Sequence, residues 1–480
     1  MPMTRAHLKI VAAQRRYAAR ARARKLGLIV PEAFVRGIRH LGYQTNVEAL
    51  AELVDNSIQA YAEAVDIVFS FQGKDASRKP SHIAIIDDGH GMDPEMMRYA
   101  LMWGGTHREN DRAGLGRFGY GLPCAAVSIG RRFTIYSKTK GQRLHSVALD
   151  LGAIASGDGT TKREVSIPTA VPARLPRFIG QAIRQAHPEG WRSGTIIVIE
   201  NLDRLDWSTA SGLGRNLVRR FGVMYHKLLV ATRITVDGAE VHPIDPLFLN
   251  PAANLFALDD DRAVALDPVK FRIETPEGRN GDVVLRYAWL PPSFAATDKS
   301  RDATGMNANA RFPIIKQYHG ILFSRNGRLL AMQSKTPWTI FMNNDRYIRV
   351  EVEFSAALDE AFGVTTSKQQ VTVSPEMWDH LRVAGLHKAI EHLRAKVRTE
   401  KTLRLGTQPT SGAGPTRHRA GGPARDRIPR GITPHRALRM LLDEIGNRSS
   451  LAPPAIQAAY RSLLEDWSVR MADLAAQSAD

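Results

Sequence analysis

The stretch Thr45–Ala62, TNVEALAELVDNSIQAYA, restricts the fold of this chain more than any other. Val47, Leu50, Val54, Ile58 and Tyr61 recur at three- and four-residue spacing, which predicts a helix with one face turned to a core. Thr45, followed three residues later by Glu48, reads as a capping box at its start. Glu52 and Asn56 are four apart, so they lie one turn apart on the same face. Such a pair has two readings. One is a solvated polar face, the common fate of these residues on a helix. The other is a site, in which the carboxylate deprotonates a water and the amide oxygen joins the shell of magnesium, a hard cation that takes oxygen ligands.

Three later stretches favour the site. Ile83–Met92, IAIIDDGHGM, is an apolar strand ending in Asp87 and Asp88, after which Gly89 and Gly91 permit a tight turn or a close backbone approach to a ligand. Gly114–Gly121, GLGRFGYG, offers backbone N–H groups able to wrap phosphate oxygens, and a helix starting near Gly121 adds its positive end. Ser193–Asn201, SGTIIVIEN, is a strand preceded by Gly194 and Thr195. Each alone is an ordinary turn or strand. All four follow in order within one domain's length.

With these residues in place, the sequence resembles the GHKL ATPase superfamily of gyrase B, heat-shock chaperones, histidine kinases and MutL. Glu52 and Asn56 match its first motif, E-x-x-x-N; Asp87, Gly89 and Gly91 match D-x-G-x-G; Gly116, Gly119 and Gly121 match G-x-x-G-x-G; Gly194 and Thr195 match the Gly-Thr pair. AELVDN, DDGHGM and GRFGYG resemble most closely a prokaryotic MORC-like ATPase. The resemblance implies ATP and Mg²⁺ as ligands. It implies that Asp87 accepts a hydrogen bond from the adenine amino group, with Thr195 beside it through water. It also implies that Asn56 binds Mg²⁺, that Glu52 is the general base toward the γ-phosphate, and that Gly116–Gly121 cover the phosphates, hinged near Trp103–Thr106. Met92, which closes the second motif, is counted with the nucleotide-binding residues. Asp55 and Asp88 read as structural, and His90 reads as a turn residue.

The chain's 480 residues are enough for two or three domains, and 43% hydrophobic with 24% charged residues is a globular balance. The net charge of +18 points to an acidic polymer as partner, nucleic acid before membrane. The single cysteine, Cys124, excludes an internal disulfide and a cysteine-based zinc site, and its apolar surroundings predict a small buried residue. No apolar run reaches the length of about 18 residues that a membrane span needs, and no secretory h-region is seen, so a cytoplasmic protein is expected.

Residues 1–30 form a basic arm, with Arg5, Lys9, Arg15, Arg16, Arg20, Arg22, Arg24 and Lys25 facing no acid before Glu32. It reads as a helix on phosphates, an arm crossing to a second subunit, or a solvated tail. Residues 31–245 read as the ATPase domain, with strands at Val65–Phe71, His82–Asp87, Phe133–Ser137, Leu144–Asp150 and Thr195–Glu200. Its helices fall at 45–62, 93–102, 121–129 and 212–230, layered on one mostly antiparallel sheet, an α+β arrangement. Gly152–Arg192 reads as an irregular insertion, and Asp237–Gly238 as a hairpin turn.

Residues 246–400 read as a second α/β domain. It holds a hairpin turning at Asn326–Gly327 and a half-exposed strand Arg349–Phe354. It ends in a single helix, Glu376–Arg398, burying Trp378, Leu381, Leu386, Ile390 and Leu393. This part resembles the S5-type transducer of gyrase B, MutL and MORC proteins, which implies that Lys368 reaches the γ-phosphate. Residues 401–433 read as a basic flexible linker carrying Arg417, Arg419, Arg425, Arg427 and Arg430, and 434–480 as a C-terminal helical segment. The expected fold is thus a GHKL (Bergerat) ATP-binding sandwich, a smaller S5-like domain and a helical tail. The expected function is an ATP-hydrolysing, dimeric clamp on DNA. A chaperone-like ATPase with a protein client and a nucleotide-gated DNA-binding module with negligible turnover stay open beside it.

Overall fold

The computed structural model describes residues 37–39, 42–43, 45–71, 79–105, 119–156, 167–207, 209–275, 278–295, 309–364 and 371–406, together with residues 12, 14 and 15. The expectations for the N-terminal arm, the linker and the C-terminal helices therefore lie outside the described residues, as do Gly114, Gly116 and Lys368. All elements named below belong to one unit, Met1–Gln408.

The first helix, α1 (Asn46–Gln59), begins as its sequence dictates: Thr45 and Glu48 form the reciprocal capping box. Val47, Leu50, Leu53 and Val54 are buried, each apolar side chain worth roughly 1.5–3 kcal/mol on removal from water. Tyr61 does not share that stripe. The helix stops at Ala60, Tyr61 turns to φ +58°, and its side chain is 86% exposed.

The strands β1 (Ala64–Ser70), β2 (His82–Asp87), β3 (Gly130–Lys138), β4 (His145–Asp150), β5 (Val171–Pro172), β6 (Gly194–Leu202), β7 (Arg233–Val236) and β8 (Ala239–Glu240) form one sheet. Their order is β5-β4-β3-β6-β2-β1-β7-β8, antiparallel throughout except for the β1–β7 pair. The β7–β8 turn is at Asp237–Gly238, both at positive φ, as predicted. The helices α1, α2 (Pro94–Leu101), α3 (Gly121–Ile129) and α6 (Ala210–Met224) share a core with one face, where Ile83 and Ile85 of β2 and Ile197 and Ile199 of β6 point.

The opposite face is also covered. The described part of Gly152–Arg192 is not irregular: it holds most of α4 (Leu151–Ser156), β5 and α5 (Arg177–Ala186). Ile179 and Ile183 of α5, with Trp191, pack on Ala84, Ile86, Ile196 and Val198. Two-sided burial explains the unbroken apolar runs of β2 and β6.

A second sheet of five strands has the order β12-β11-β13-β10-β9: β9 (Val264–Glu274), β10 (Asn280–Trp289), β11 (Ile321–Arg325), β12 (Arg328–Gln333) and β13 (Ile348–Phe354). The β11–β12 hairpin turns at Asn326–Gly327, both at positive φ, as its Asn-Gly pair predicts. The helices α7 (Phe312–Gln317), α8 (Pro375–Val383) and α9 (Leu386–Gly406) complete this layer. The predicted single helix Glu376–Arg398 is therefore two, separated at Gly385 with φ +87°. Leu381, Leu386, Ile390 and Leu393 are buried as expected, but Met377 rather than Trp378 is the buried residue in the first turns of α8.

Strand β13 departs most from expectation. RVEVEF alternates like a half-exposed strand, yet Arg349 and Glu351 are buried. Glu351 Oε1 accepts from Lys227 Nζ at 2.6 Å and from Ser324 Oγ at 2.7 Å, and its Oε2 accepts from Arg286 Nη1 at 2.9 Å. Burial pushes its carboxyl up, and the charges and hydrogen bonds of Lys227, Ser324 and Arg286 together more than reverse this, leaving it below its usual range. Arg349 Nη2 donates to the Arg346 carbonyl at 2.9 Å, and its second terminal nitrogen donates to the Tyr318 carbonyl. Burial draws its guanidinium down to about 9, with Asp245 opposing, so it remains cationic at neutral pH.

The second sheet packs on α6 through β12, and a buried ion pair ties it to α1. Asp55, 0% exposed, accepts from Arg328 Nε of β12 at 2.7 Å and lies 2.9 Å from the Tyr225 hydroxyl. Burial works against the Arg328 cation, but Asp55 holds its pKa above the ordinary value. Removing one member of a buried pair strands the other charge, a loss of about 3–5 kcal/mol, whereas apolar replacement of both is often neutral. Arg328→Ala should lower the unfolding free energy by about that much in denaturant titrations. Asp55→Leu combined with Arg328→Met should recover most of it, since the Tyr225 hydroxyl keeps the Ala51 carbonyl at 2.8 Å.

Candidate functional site

Side-chain parity along the strands assembles the floor of the site. On β2, Ile83 and Ile85 face the helices, so Asp87 faces them too; on β6 the same holds for Thr195, Ile197 and Ile199; on β3 for Phe133, Ile135 and Ser137. The pairs Ile86↔Ile196 and Ser137↔Thr195 place Asp87, Thr195 and Ser137 side by side at one end of the sheet, beneath α1.

Asp87 is 5% exposed and densely hydrogen-bonded. Its Oδ1 accepts from the backbone N–H groups of Gly89 and Thr195, both at 3.0 Å, and its Oδ2 accepts from Ser57 Oγ at 2.9 Å. A carboxylate has about four lone-pair sites. Three are occupied, so one acceptor position remains on Oδ2. Burial raises the carboxyl to about 6, against the lowering effect of its donors. Asp87 is thus largely ionised at neutral pH and acts as a desolvated acceptor.

The glycines here are required by contact. A Cβ on Gly91, at φ +71°, would stand 2.0 Å from the Lys138 carbonyl oxygen, and one on Gly194, at φ +133°, 2.0 Å from the Asp87 carbonyl oxygen. Met92 N–H donates to Ser137 Oγ at 2.8 Å, and that hydroxyl lies 3.0 Å from Thr195 Oγ1. The Trp191 indole donates to the Asp87 carbonyl at 2.7 Å. Asp88 is structural, as expected: its Oδ1 accepts from the N–H groups of Glu63 and Ala64. His90 is an exposed turn residue, its Nδ1 2.6 Å from the Gly91 carbonyl.

One turn of α1 supplies the other half of the site. Glu52 is 3% exposed, and Asn56 is half-buried. The carboxylate lies against the first residue of α3, where a Cβ on Gly121 would come within 2.1 Å of Glu52 Oε1. Only glycine leaves room for it. The Tyr43 hydroxyl hydrogen-bonds Glu52, and burial, with the Glu52 charge, holds that phenol well above its ordinary range. Cys124 is half-buried rather than fully buried, and burial raises its thiol to about 11 while the Trp103 indole hydrogen-bonds it. Gly104 N–H donates to the Gly119 carbonyl at 3.1 Å, with Gly104 at φ +86° and Gly119 at φ +66°. Residue 106, the end of the expected hinge, lies outside the described residues.

Glu52, Asn56, Asp87, Gly89, Gly91, Met92, Gly119, Gly121 and Thr195 are therefore gathered around α1 and the adjacent strand ends. Tyr43, Ser57, Ser137 and Trp191 join them and were not singled out in the sequence. Alternation along FTIYS of β3 was the available signal for Ser137; the other three carry none. Among the described residues no group of three or more His, Cys, Asp or Glu is placed to hold a metal ion. Asn56 offers an amide oxygen, an oxygen ligand compatible with magnesium held mostly by phosphates and water.

Comparison with known proteins agrees with this geometry. Residues 43–175 match the family of histidine kinase-, DNA gyrase B-, and HSP90-like ATPases. Protein MICRORCHIDIA 6 of Arabidopsis thaliana is 30% identical over 97 residues, 20% of this chain and 14% of that protein. ATPase MORC2A of Mus musculus and ATPase MORC2 of Homo sapiens are each 33% identical over 91 residues, 19% of this chain and 9% of theirs. The matches thus span a small part of the relatives' length. The family match takes in Glu52, Asn56, Asp87 and Gly121: residues 43–175 are similar to GHKL-type ATPases, and the chain is MORC-like in sequence over about a fifth of its length.

Proposed function

We propose that this chain binds ATP with Mg²⁺, hydrolyses it to ADP and phosphate, and uses the cycle as a dimeric clamp on DNA. The observation that carries the nucleotide reading is the Asp87 carboxylate, buried, ionised and left with one acceptor position by its three donors. An adenine amino group is a donor of the matching kind, and the Thr195 and Ser137 hydroxyls stand beside it for a ring nitrogen. From there α1 leads to Asn56 and Glu52. Phosphoryl transfer to water needs positioning and charge neutralisation rather than a covalent intermediate.

Glu52 accepts a proton from the attacking water, held in place by the Tyr43 hydroxyl and the space at Gly121. Magnesium, when bound through Asn56, supplies charge neutralisation on the phosphates. Gly116, the remaining glycine of the phosphate cradle, and Lys368, the cation toward the γ-phosphate, take part by the family resemblance. The DNA and dimer readings rest on the net charge of +18 and on the same resemblance. Among the described residues no helix is long and apolar enough to cross a membrane.

Two measurements test this. Glu52→Gln keeps the side-chain shape and removes the base. It should lower steady-state ATP hydrolysis by about 10²–10⁴-fold while nucleotide binding persists. Hydrolysis stimulated by duplex DNA in a salt-sensitive way supports the clamp. Binding without turnover in the wild type would make it a nucleotide-gated module, and turnover indifferent to DNA would favour a protein client.

The second test is pH. Because burial raises Asp87 to about 6, ATP affinity should fall about tenfold as the pH drops from 7.5 to 5 and the carboxyl takes up a proton. Asp87→Asn should bind weakly at both ends of that range. Stability has the opposite sign: a carboxyl whose folded pKa is raised disfavours the fold as pH rises from its unfolded value, near 4, to about 6.

A further inference from the structure

The strands β5, β4, β3 and β6 are neighbours in that order, and all four present the same end of the sheet to a row of cations. Lys138 is the last residue of β3, and Lys140 follows in the turn. Arg143 precedes β4 and Arg174 follows β5. The bond from Ala173 N–H to the Leu144 carbonyl, 3.0 Å, continues the β4–β5 ladder to the point where these two arginines are next to face each other. Lys138 pairs with Gly194 across the β3–β6 ladder, so Arg192, two residues before Gly194, lies beside the Lys140 turn. Arg177 opens α5 three residues after Arg174.

Lys140, Arg143, Arg174, Arg177 and Arg192 are exposed. Like charges set across a ladder repel. The acids at hand do not offset them: Asp93 is engaged in capping α2, its Oδ1 2.7 Å from Met96 N, and Glu189 is one charge against six. Lys138 lies over the Trp191 ring at 4.9 Å, and Trp191 donates to the Asp87 carbonyl. The row therefore ends at the wall of the nucleotide site, because β2, the next strand after β6, ends at Asp87.

We infer that this strand-end row is a docking surface for the backbone of duplex DNA, built into the ATPase domain and separate from the basic arms. The cations do not converge on one point, as a single phosphate requires. They are spread across four strands, three inter-strand steps of about 4.8 Å, or about 14 Å. Duplex DNA presents one charge per ~3.4 Å of axis on each strand, so a row of that length spans about four phosphates of one strand. Val171 is the exposed apolar side chain at this edge, too little for insertion into a membrane. Contacts of this kind fix position without reading sequence. The inference takes DNA as the partner, as proposed above, and assigns it a place.

The test is fluorescence anisotropy with the full chain and a 5′-labelled 30-base-pair duplex of arbitrary sequence, at salt concentrations of about 50 to 200 mM. In Arg143→Gln/Arg174→Gln/Arg192→Gln, Kd should rise at least tenfold and the slope of log K against log salt should fall by about 2 to 3, near 0.9 per lost phosphate contact. Arg→Lys at the same three positions should retain wild-type affinity, because a point charge suffices here. Equal charge removal at Arg262, Lys270 and Arg272, which sit among Asp259, Asp261, Asp267 and Asp282, should leave binding unchanged. Equal Tm values for all variants confirm the fold. If the wild type binds DNA and the Gln triple variant binds as well with the same slope, the surface is wrong while the DNA reading stands. If the wild type binds no DNA, or binds vesicles of 30% anionic lipid instead, both fail.

Discussion

The buried contact between Asp55 and Arg328 is the interaction on which the rest of the arrangement depends. Asp55 belongs to the same turn of α1 as Glu52 and Asn56, and Arg328 belongs to the edge strand of the second sheet. A single helical turn therefore carries both the site and the junction, since Glu52 and Asp55, three apart, are neighbours on its surface. The pair brings little net stability, because two charges leave water to form it. Its value is that it admits one geometry. The Tyr225 hydroxyl and the Asn326–Gly327 turn, seated near Leu228, fix the same junction from two further sides. Rotation of α1 would strand a charge in an apolar interior, so the second sheet adds one more constraint on where Glu52 stands to those of the α1 core.

The same logic runs through β13. Glu351 and Glu353 take Lys227 from the segment after α6 and Arg286 from β10. The Lys227 pairs tie β13 to the segment after α6, while the Arg286 pairs stay within the second sheet. The Lys227 pairs need that segment in place, whereas Val350, Val352 and Phe354 bury themselves within their own core.

At the site, backbone geometry and electrostatics are coupled. Close passage of Gly91 against Lys138, and of Gly194 against Asp87, draws three strand ends together until Thr195 N–H reaches the Asp87 carboxylate. Burial raises the Asp87 carboxyl and those donors oppose it, which leaves it at about 6. The covering helix α5 contributes from the other face, since its layer positions Trp191 under the Asp87 carbonyl.

Much of this was legible in the sequence. The capping box at Thr45, the one-turn spacing of Glu52 and Asn56, the glycines at 89, 91, 121 and 194, and both hairpin turns are local matters. They follow from which backbone torsions a residue tolerates and from the periods of helix and strand. The misreadings have local causes too. Phe178, Ile179, Ala182 and Ile183 of α5 do recur at helical spacing, but over only ten residues between Pro176 and Pro188, and Gly385 ends a helix whose apolar period continues past it. What only the tertiary structure decided is the state of each charge. RVEVEF alternates as an exposed strand does, and nothing in those six residues foretells Lys227 and Arg286. The motifs set Asp87 apart from Asp55 but do not show that Asp55 latches Arg328 of the second sheet. Burial and pairing depend on groups that lie from tens to hundreds of residues away along the chain, and a local pattern holds no information about them.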